Sequence, residues 1–291
     1  MALVSINPIQ VLLWTFRRNE QDVVNLYNSL SPVMQLATGG SMLNFGYWNK
    51  NTKNPAEAQG ELCSIVGNLA ELDSAKTVID VGSGFSAPAM HWKSMYDSSH
   101  ITCVNINFNQ LKNRIANTNS VSFQDDISFV NSTSTTLPLA NNCADRVIAL
   151  ESAQHFKPLT DFIKESRRVL NKDGILVMAI PVTTQESLTS FVKLGILSLT
   201  WSSEHYELDN VIATITKEGF QISDLQRIGK NVYEPLTDYY IQNRDVLRHK
   251  ILKEYPSYLE NILFKSLLKM KGASQKGIID YALIKCILSK M

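Results

Sequence analysis

Three short stretches of the chain carry side chains whose types and spacing could do chemistry. In Asp80-Val-Gly-Ser-Gly84 a carboxyl precedes two glycines, which allow backbone conformations closed to other residues and let a ligand approach with no Cβ in the way. In Glu151-Ser-Ala-Gln-His155 a carboxyl and an imidazole follow closely, and a neutral imidazole near pH 7 can take the proton of a hydroxyl or amine. The third, Asn44-Phe-Gly-Tyr-Trp48, sets three aromatic rings among glycines, as a segment folding over a pocket mouth would. Each has a plainer structural reading. Asp80 can stabilise a turn, Glu151 can cap the next helix, His155 can bond to backbone at a helix start, and the aromatic rings can plug the core.

The elements that must position these groups are legible in the hydrophobic pattern. Residues 77–81 are rich in β-branched side chains and end abruptly in the glycines, so a buried strand runs into a turn. Pro88 suits the first turn of the helix that follows, over 87–95. Such a junction points backbone N–H groups and a positive helix end at whatever lies in front of the strand. Helical spacing covers parts of 7–38, with apolar residues over 9–16 and an aromatic segment after it, and then 55–72. Beyond the turn, strands are expected over 101–106, 127–130, 144–150 and 175–180, and helices over 110–117 and 156–170. The last of these helices is closed by Asn171-Lys-Asp-Gly174, where glycine can supply a left-handed residue. After Pro181 come helices over 188–200 and 208–218, a strand over 220–228, helices over 235–270 and a β-rich run over 277–287.

Alternating strands and helices imply an α/β fold: a doubly wound, mostly parallel, seven-stranded Rossmann-like sheet with an antiparallel edge strand and added helical lid elements. Ligands then bind at the carboxyl ends of the strands, the edge that carries the glycine turn. Four parts are expected. Residues 1–54 form an N-terminal helical and aromatic lid, 55–234 a cofactor-binding core, 235–275 a helical insertion capping the substrate pocket, and 276–291 the final edge strand.

Gly82-x-Gly84-x-x-Ala87 formally matches the fingerprint of dinucleotide-binding enzymes. Two residues argue against that ligand. Asp80 stands directly before the turn, where a pyrophosphate wants donors and no negative charge, and the end of the second strand offers Asn105 where a ribose-reading acid is expected. A ligand carrying an amino group tolerates or benefits from Asp80.

Asp80-Val-Gly-Ser-Gly84, the block Leu137-Pro-Leu139 leading into Asp145-Arg-Val-Ile-Ala-Leu-Glu-Ser-Ala-Gln-His-Phe156, and Arg167-Arg-Val-Leu-Asn-Lys-Asp-Gly-Ile-Leu176 follow one another in the order and spacing of a known family. Together they resemble class I S-adenosylmethionine-dependent methyltransferases. Asn44-Phe-Gly-Tyr-Trp48 and Glu151-Ser-Ala-Gln-His155 resemble the small-molecule branch that includes sterol and tocopherol C-methyltransferases and natural-product sugar O-methyltransferases. The resemblance covers residues 40–180. It implies S-adenosyl-L-methionine as cofactor, with Asp80, Gly82, Ser83 and Gly84 around its amino-acid part. It further implies Asn105, Ile106 and Gln110 on the ribose side, Thr133 and Ser134 near adenine, and Glu151 and Tyr47 along the site. Ser86 stands where the family usually has a third glycine, and Thr133 where it often has Asp.

On the substrate side the expected residues are Trp48, Gln154, His205, Tyr206 and Tyr239, with His155 and Glu151 as catalytic groups. The stretches Ser203-Glu-His-Tyr206 and Asp238-Tyr-Tyr240 bring hydroxyl, imidazole and aromatic groups to the pocket side, and the apolar run over 191–201 implies a roomy hydrophobic pocket. The expected reaction is methyl transfer to a hydroxyl of a small, partly apolar metabolite. C-methylation of a prenyl or sterol-like acceptor is the chemical alternative, and a nicotinamide-dependent oxidoreductase or a non-catalytic cofactor-binding subunit are the alternatives of other classes.

Composition narrows the partners. With 28 basic and 27 acidic residues among 291 the net charge is +1, which gives no electrostatic footprint for nucleic acid. No stretch has the roughly 18 uninterrupted apolar residues of a membrane span, and residues 9–16 lack the flanks of a signal peptide. Cys63, Cys103, Cys143 and Cys286 are scattered without a CxxC pair, as in a reduced, cytoplasmic protein. No two histidines have zinc spacing, so no metal is expected, and a homodimer is left open.

Overall fold

The computed structural model describes residue 9 and residues 19–38, 42–96, 99–117, 126–184 and 204–289. The helix expected over 188–200, the apolar run over 191–201 and most of the N-terminal stretch over 9–16 lie outside the described residues. In chain order the elements are α1 (Glu20–Thr38), α2 (Pro55–Leu69), β1 (Thr77–Val81), α3 (Ala87–Met95), β2 (His100–Asn105), α4 (Phe108–Asn117), β3 (Ile127–Asn131) and β4 (Ala144–Leu150). They continue with α5 (Leu159–Val169), β5 (Leu170–Thr183), α6 (Leu208–Lys217), β6 (Phe220–Arg227), α7 (Gly229–Gln242), α8 (Arg244–Leu252), α9 (Ser257–Gln275) and β7 (Ile279–Leu288).

The seven strands form one sheet in the order β3-β2-β1-β4-β5-β7-β6. Strands β1 to β5 run parallel to one another, and β7 is antiparallel to both β5 and β6. The order reverses between β1 and β4, so the loops after these two strands flank the crevice where such sheets bind ligands. The closing strand is not at the edge. β7 sits between β5 and β6, and the burial of Tyr281 to Ile284 on both faces explains why. The more polar β6, with exposed Gln221 and Gln226, takes the edge.

The register of β1 against β4 is pinned at its lower end by Asp145, whose carboxylate accepts the N–H groups of Lys76 and Thr77, the Thr77 hydroxyl and the Asn171 amide. At the other end Asn54 and Glu57 cap α2 reciprocally, with Pro55 in the first turn. Gly174 does not take the expected left-handed conformation. Leu170 already pairs with Ala144, and the register shift before Arg146 pairs with Ile175 absorbs residues 171–174 inside β5. One sheet face packs on α2, α3 and the C-terminal helices, and the other on α5 and α6. The helical cap starts at Gly229, runs to Gln275 and packs on α1 through α8.

Candidate active site

The turn after β1 is built for tightness on one side and openness on the other. Gly82 has φ +77, and a Cβ there would lie 2.3 Å from the Cβ of Ser152, whose hydroxyl donates to the Val81 carbonyl at 2.6 Å. A Cβ on Gly84, at φ +55, would meet nothing within 4 Å. The N–H groups of Gly82 and Ser83 are not left for a ligand, since both donate to the Val104 carbonyl and so close the turn onto β2. Ser86 caps α3 at φ +56, a left-handed conformation that glycine would adopt without strain.

In front of this turn lies a cavity of about 680 Å³. Its floor is made by residues that follow the parallel strands: Gly82, Ser83 and Gly84 after β1; Asn105, Ile106 and Gln110 at the end of β2; Thr133 and Ser134 after β3; and Glu151, Gln154 and His155 after β4. The Asn105 amide donates to the Gly84 carbonyl at 3.2 Å and to Gln110 Oε1 at 2.9 Å, so it braces the glycine turn against α4. Asp80 lies beneath the turn, 2% exposed, and its Oδ2 has no hydrogen-bond partner. Burial raises its carboxyl to about 7.

Glu151 terminates β4 at φ +50, a conformation costly for a residue with a side chain. Its carboxylate accepts the Phe45 N–H at 2.9 and 3.1 Å and the Tyr281 hydroxyl at 3.0 Å. Burial pushes it up to about 8 although both hydrogen bonds pull the other way. Next in the chain, Ala153–His155 form a single 3-10 turn. The Gln154 amide donates to the Glu151 carbonyl at 2.6 Å and lies 3.3 Å from His155 Nε2. Tyr27 of α1 places its hydroxyl 2.7 Å from the same nitrogen and its ring edge-on to the imidazole.

The opposite wall is helical and mostly apolar. It comprises Val23, Tyr27, Leu30 and Val33 of α1 with Ile262, Leu263, Leu267 and Met270 of α9. Three polar contacts fasten α1 across the strand ends: Thr133 to Glu20 at 2.6 Å, Asn107 to Asn28 at 2.8 Å, and Tyr27 to His155.

Six expected residues sit away from the cavity lining, Asp80 beneath the turn being one of them. Met42 to Phe45 line it, but Gly46, at φ +90 and with no room for a Cβ beside Ala58, turns the chain along α2. Tyr47 N–H therefore bonds the Ala58 carbonyl, and Trp48 N–H reaches Asn231. Trp48 and Tyr239 face each other in a separate outer groove with ring centroids 5.6 Å apart. His205 and Tyr206 lie behind the 3-10 turn. The Tyr206 hydroxyl bonds the Phe156 carbonyl beside the turn, and the His205 carbonyl accepts from Thr183 at the end of β5, so neither lines the cavity. Sequence reasoning missed Tyr27, Phe45 and Tyr281. Tyr27 read only as one apolar position of a helix, and Phe45 acts through its backbone, which no side-chain pattern reveals.

The residues fit S-adenosyl-L-methionine. The orphaned oxygen of Asp80 beneath the turn and the Glu151 carboxyl on the floor suit a ligand with positive charge, and Gly84 leaves open space above the turn. Comparison with known proteins agrees. Residues 79–178 match the family model described as a methyltransferase domain. The chain is similar to erythromycin 3''-O-methyltransferase of Saccharopolyspora erythraea, with 27% identity over 91% of this chain and 88% of that one. It is also similar to sterol 24-C-methyltransferase ERG6B of Gibberella zeae, with 25% identity over 50% of this chain and 39% of that one. Among solved structures, mycolic acid cyclopropane synthase CmaA1 complexed with SAH and CTAB superposes with a TM-score of 0.75 at 16% identity, over 90% of this chain and 95% of that one. The chain is an S-adenosylmethionine-dependent methyltransferase built on a Rossmann-like fold.

Proposed function

We propose that the enzyme methylates a hydroxyl oxygen of a small, partly apolar metabolite, with His155 taking the hydroxyl proton. The observation that carries this reading is the imidazole of His155 on the wall of a cavity whose other wall is apolar, with its Nε2 2.7 Å from the Tyr27 hydroxyl. Erythromycin 3''-O-methyltransferase, similar over most of both chains, supports an oxygen acceptor. S-adenosylmethionine, when bound, supplies an activated methyl group. The protein's part is alignment, water exclusion and proton handling, and alignment alone accounts for about 7–11 kcal/mol in well-oriented reactions. We assign Asp80, Gly82, Ser83, Gly84, Asn105, Ile106, Gln110, Thr133 and Ser134 to holding the cofactor. Gln154 and His155 face the acceptor, and α1 and α9 enclose its apolar part.

The second reading, methylation of an alkene carbon, draws on the apolar wall and on the sterol relative. In it Glu151 would stabilise a carbocation. Incubation with methyl-labelled cofactor and, first, 3''-O-desmethylerythromycin and then a cell extract separates the two readings. The expected product gains one methyl group, read by NMR as a methoxy signal. A C-methyl product, or none with any acceptor, overturns the oxygen assignment. His155→Ala should lower turnover about 100-fold or more while leaving S-adenosylhomocysteine affinity unchanged. Unchanged turnover removes His155 from the mechanism. The four cysteines form no disulfide, which supports a reducing, cytoplasmic setting. No described helix is long and apolar enough to cross a membrane.

A further inference from the structure

Glu151 lies on the floor of the cavity, and Asp80 is buried beneath the turn beside it. Asp80 on β1 and Glu151 after β4 stand on adjacent strands, and among the described residues neither makes a salt bridge. The titratable groups around them are Cys63 from α2, Tyr233 from α7 and Tyr281 from β7, all neutral when protonated. Tyr233 and Tyr281 are pushed up by burial and then by the Glu151 carboxylate, and Cys63 by burial, then Asp80, then Glu151. Glu151 is held in place from three sides, by its own left-handed backbone, the Phe45 N–H and the Tyr281 hydroxyl. A carboxyl fixed so firmly at a ligand cavity, with no countercharge, is arranged for charge brought by the ligand.

The cofactor and its product differ in that charge, since S-adenosylmethionine carries a sulfonium and S-adenosylhomocysteine a neutral thioether. Resting on the cofactor assignment above, we propose that Glu151 makes the site distinguish donor from product by charge. It loses its proton to solvent when the sulfonium form binds, and regains a proton once methyl transfer leaves the thioether. The donor is thereby held in preference to the spent product. Asp80 answers the ammonium group that both ligands share, and so does not discriminate between them.

The sign of the pH effect follows. In the free enzyme Glu151 keeps its proton up to about pH 8. A bound cation favours the ionised form, so binding S-adenosylmethionine at pH 7 releases the proton. Its affinity, relative to that of S-adenosylhomocysteine, rises as pH climbs toward 8 and levels off above, by at most about tenfold per pH unit.

Isothermal titration calorimetry of the full chain, in two buffers of different ionisation enthalpy, tests this with the two ligands as probes. The expected result is that S-adenosylmethionine releases close to one proton more than S-adenosylhomocysteine at pH 7. The affinity ratio climbs between pH 6 and 8. In Glu151→Gln, which keeps an acceptor for the Phe45 N–H, the excess release disappears and the ratio becomes flat. In Asp80→Asn the difference between ligands persists. Equal proton release by both ligands in the wild type overturns the proposal, as does an undiminished difference in a folded Glu151→Gln protein. If that variant fails to fold, the wild-type proton counts decide alone. Absence of binding by both ligands would instead overturn the cofactor assignment, and the proposal with it.

Discussion

The molecule buries two glutamates in opposite ways. In the helical cap, Glu260 has no side-chain exposure and meets two cations. Arg244 contacts its oxygens at 2.9 and 3.1 Å and Arg248 lies 3.4 Å away, with the Tyr240 hydroxyl at 3.3 Å. Burial alone would raise Glu260, but these partners outweigh it and hold the carboxyl below its ordinary value. At the cavity floor Glu151 has hydrogen bonds and no cation, and lies well above its ordinary value. A carboxylate that serves the fold is neutralised within the chain. One that serves a ligand is left for the ligand to neutralise, and the free protein bears the cost.

The sharpest way to break this contrast is to remove the nearer of the cap's two cations. Arg244→Ala should destabilise the protein by about 3 kcal/mol in urea unfolding, because it leaves the buried carboxylate with only the more distant Arg248 and removes a guanidinium stacked 3.6 Å over the Phe264 ring. A loss below about 0.5 kcal/mol would make the cluster no different from an exposed ion pair. A smaller effect is expected where α1 meets both regions. Tyr27→Phe keeps the ring against His155 and removes the hydroxyl, so turnover should fall about tenfold, or about 1.4 kcal/mol, with cofactor affinity retained. Unchanged turnover would leave Tyr27 as packing alone.

The same contrast explains what could be read from the chain. The cofactor end is built from contiguous residues: a β-branched strand, its glycines, and a strand-end glutamate followed by His155. Local propensity and spacing encode such a unit, so the meeting of Gly82, Gly84, Glu151 and His155 at one strand-end cavity was legible. The apolar wall is assembled from α1 and α9, which lie far apart in sequence. Tyr27 there has the same spacing as any core residue of a helix. Trp48 and Tyr239 misled for a related reason, because the single glycine at 46 decides which way the lid segment turns, and that depends on contact with Ala58. The position of β7 inside the sheet was likewise a matter of burial on two faces, which the apolar run over 277–287 allowed but did not specify.

The claim that Glu151 and Asp80 await a ligand's charge has one direct test, the pH dependence of unfolding free energy in the cofactor-free protein. In the unfolded chain both carboxyls titrate at ordinary values of 3.8 and 4.5, whereas the folded protein keeps their protons to about 7 and 8. Between pH 5 and 8 the folded state therefore binds more protons, and stability falls as pH rises. Carboxyls lowered by partners, such as Asp145, Glu165 and Glu260, titrate below this window. His91, lowered by burial, acts in the opposite sense and cancels when variants are compared. The expected result is that wild type loses about 3.5 kcal/mol more than Glu151→Gln between pH 5 and 8. Parallel curves for the two proteins would contradict the account.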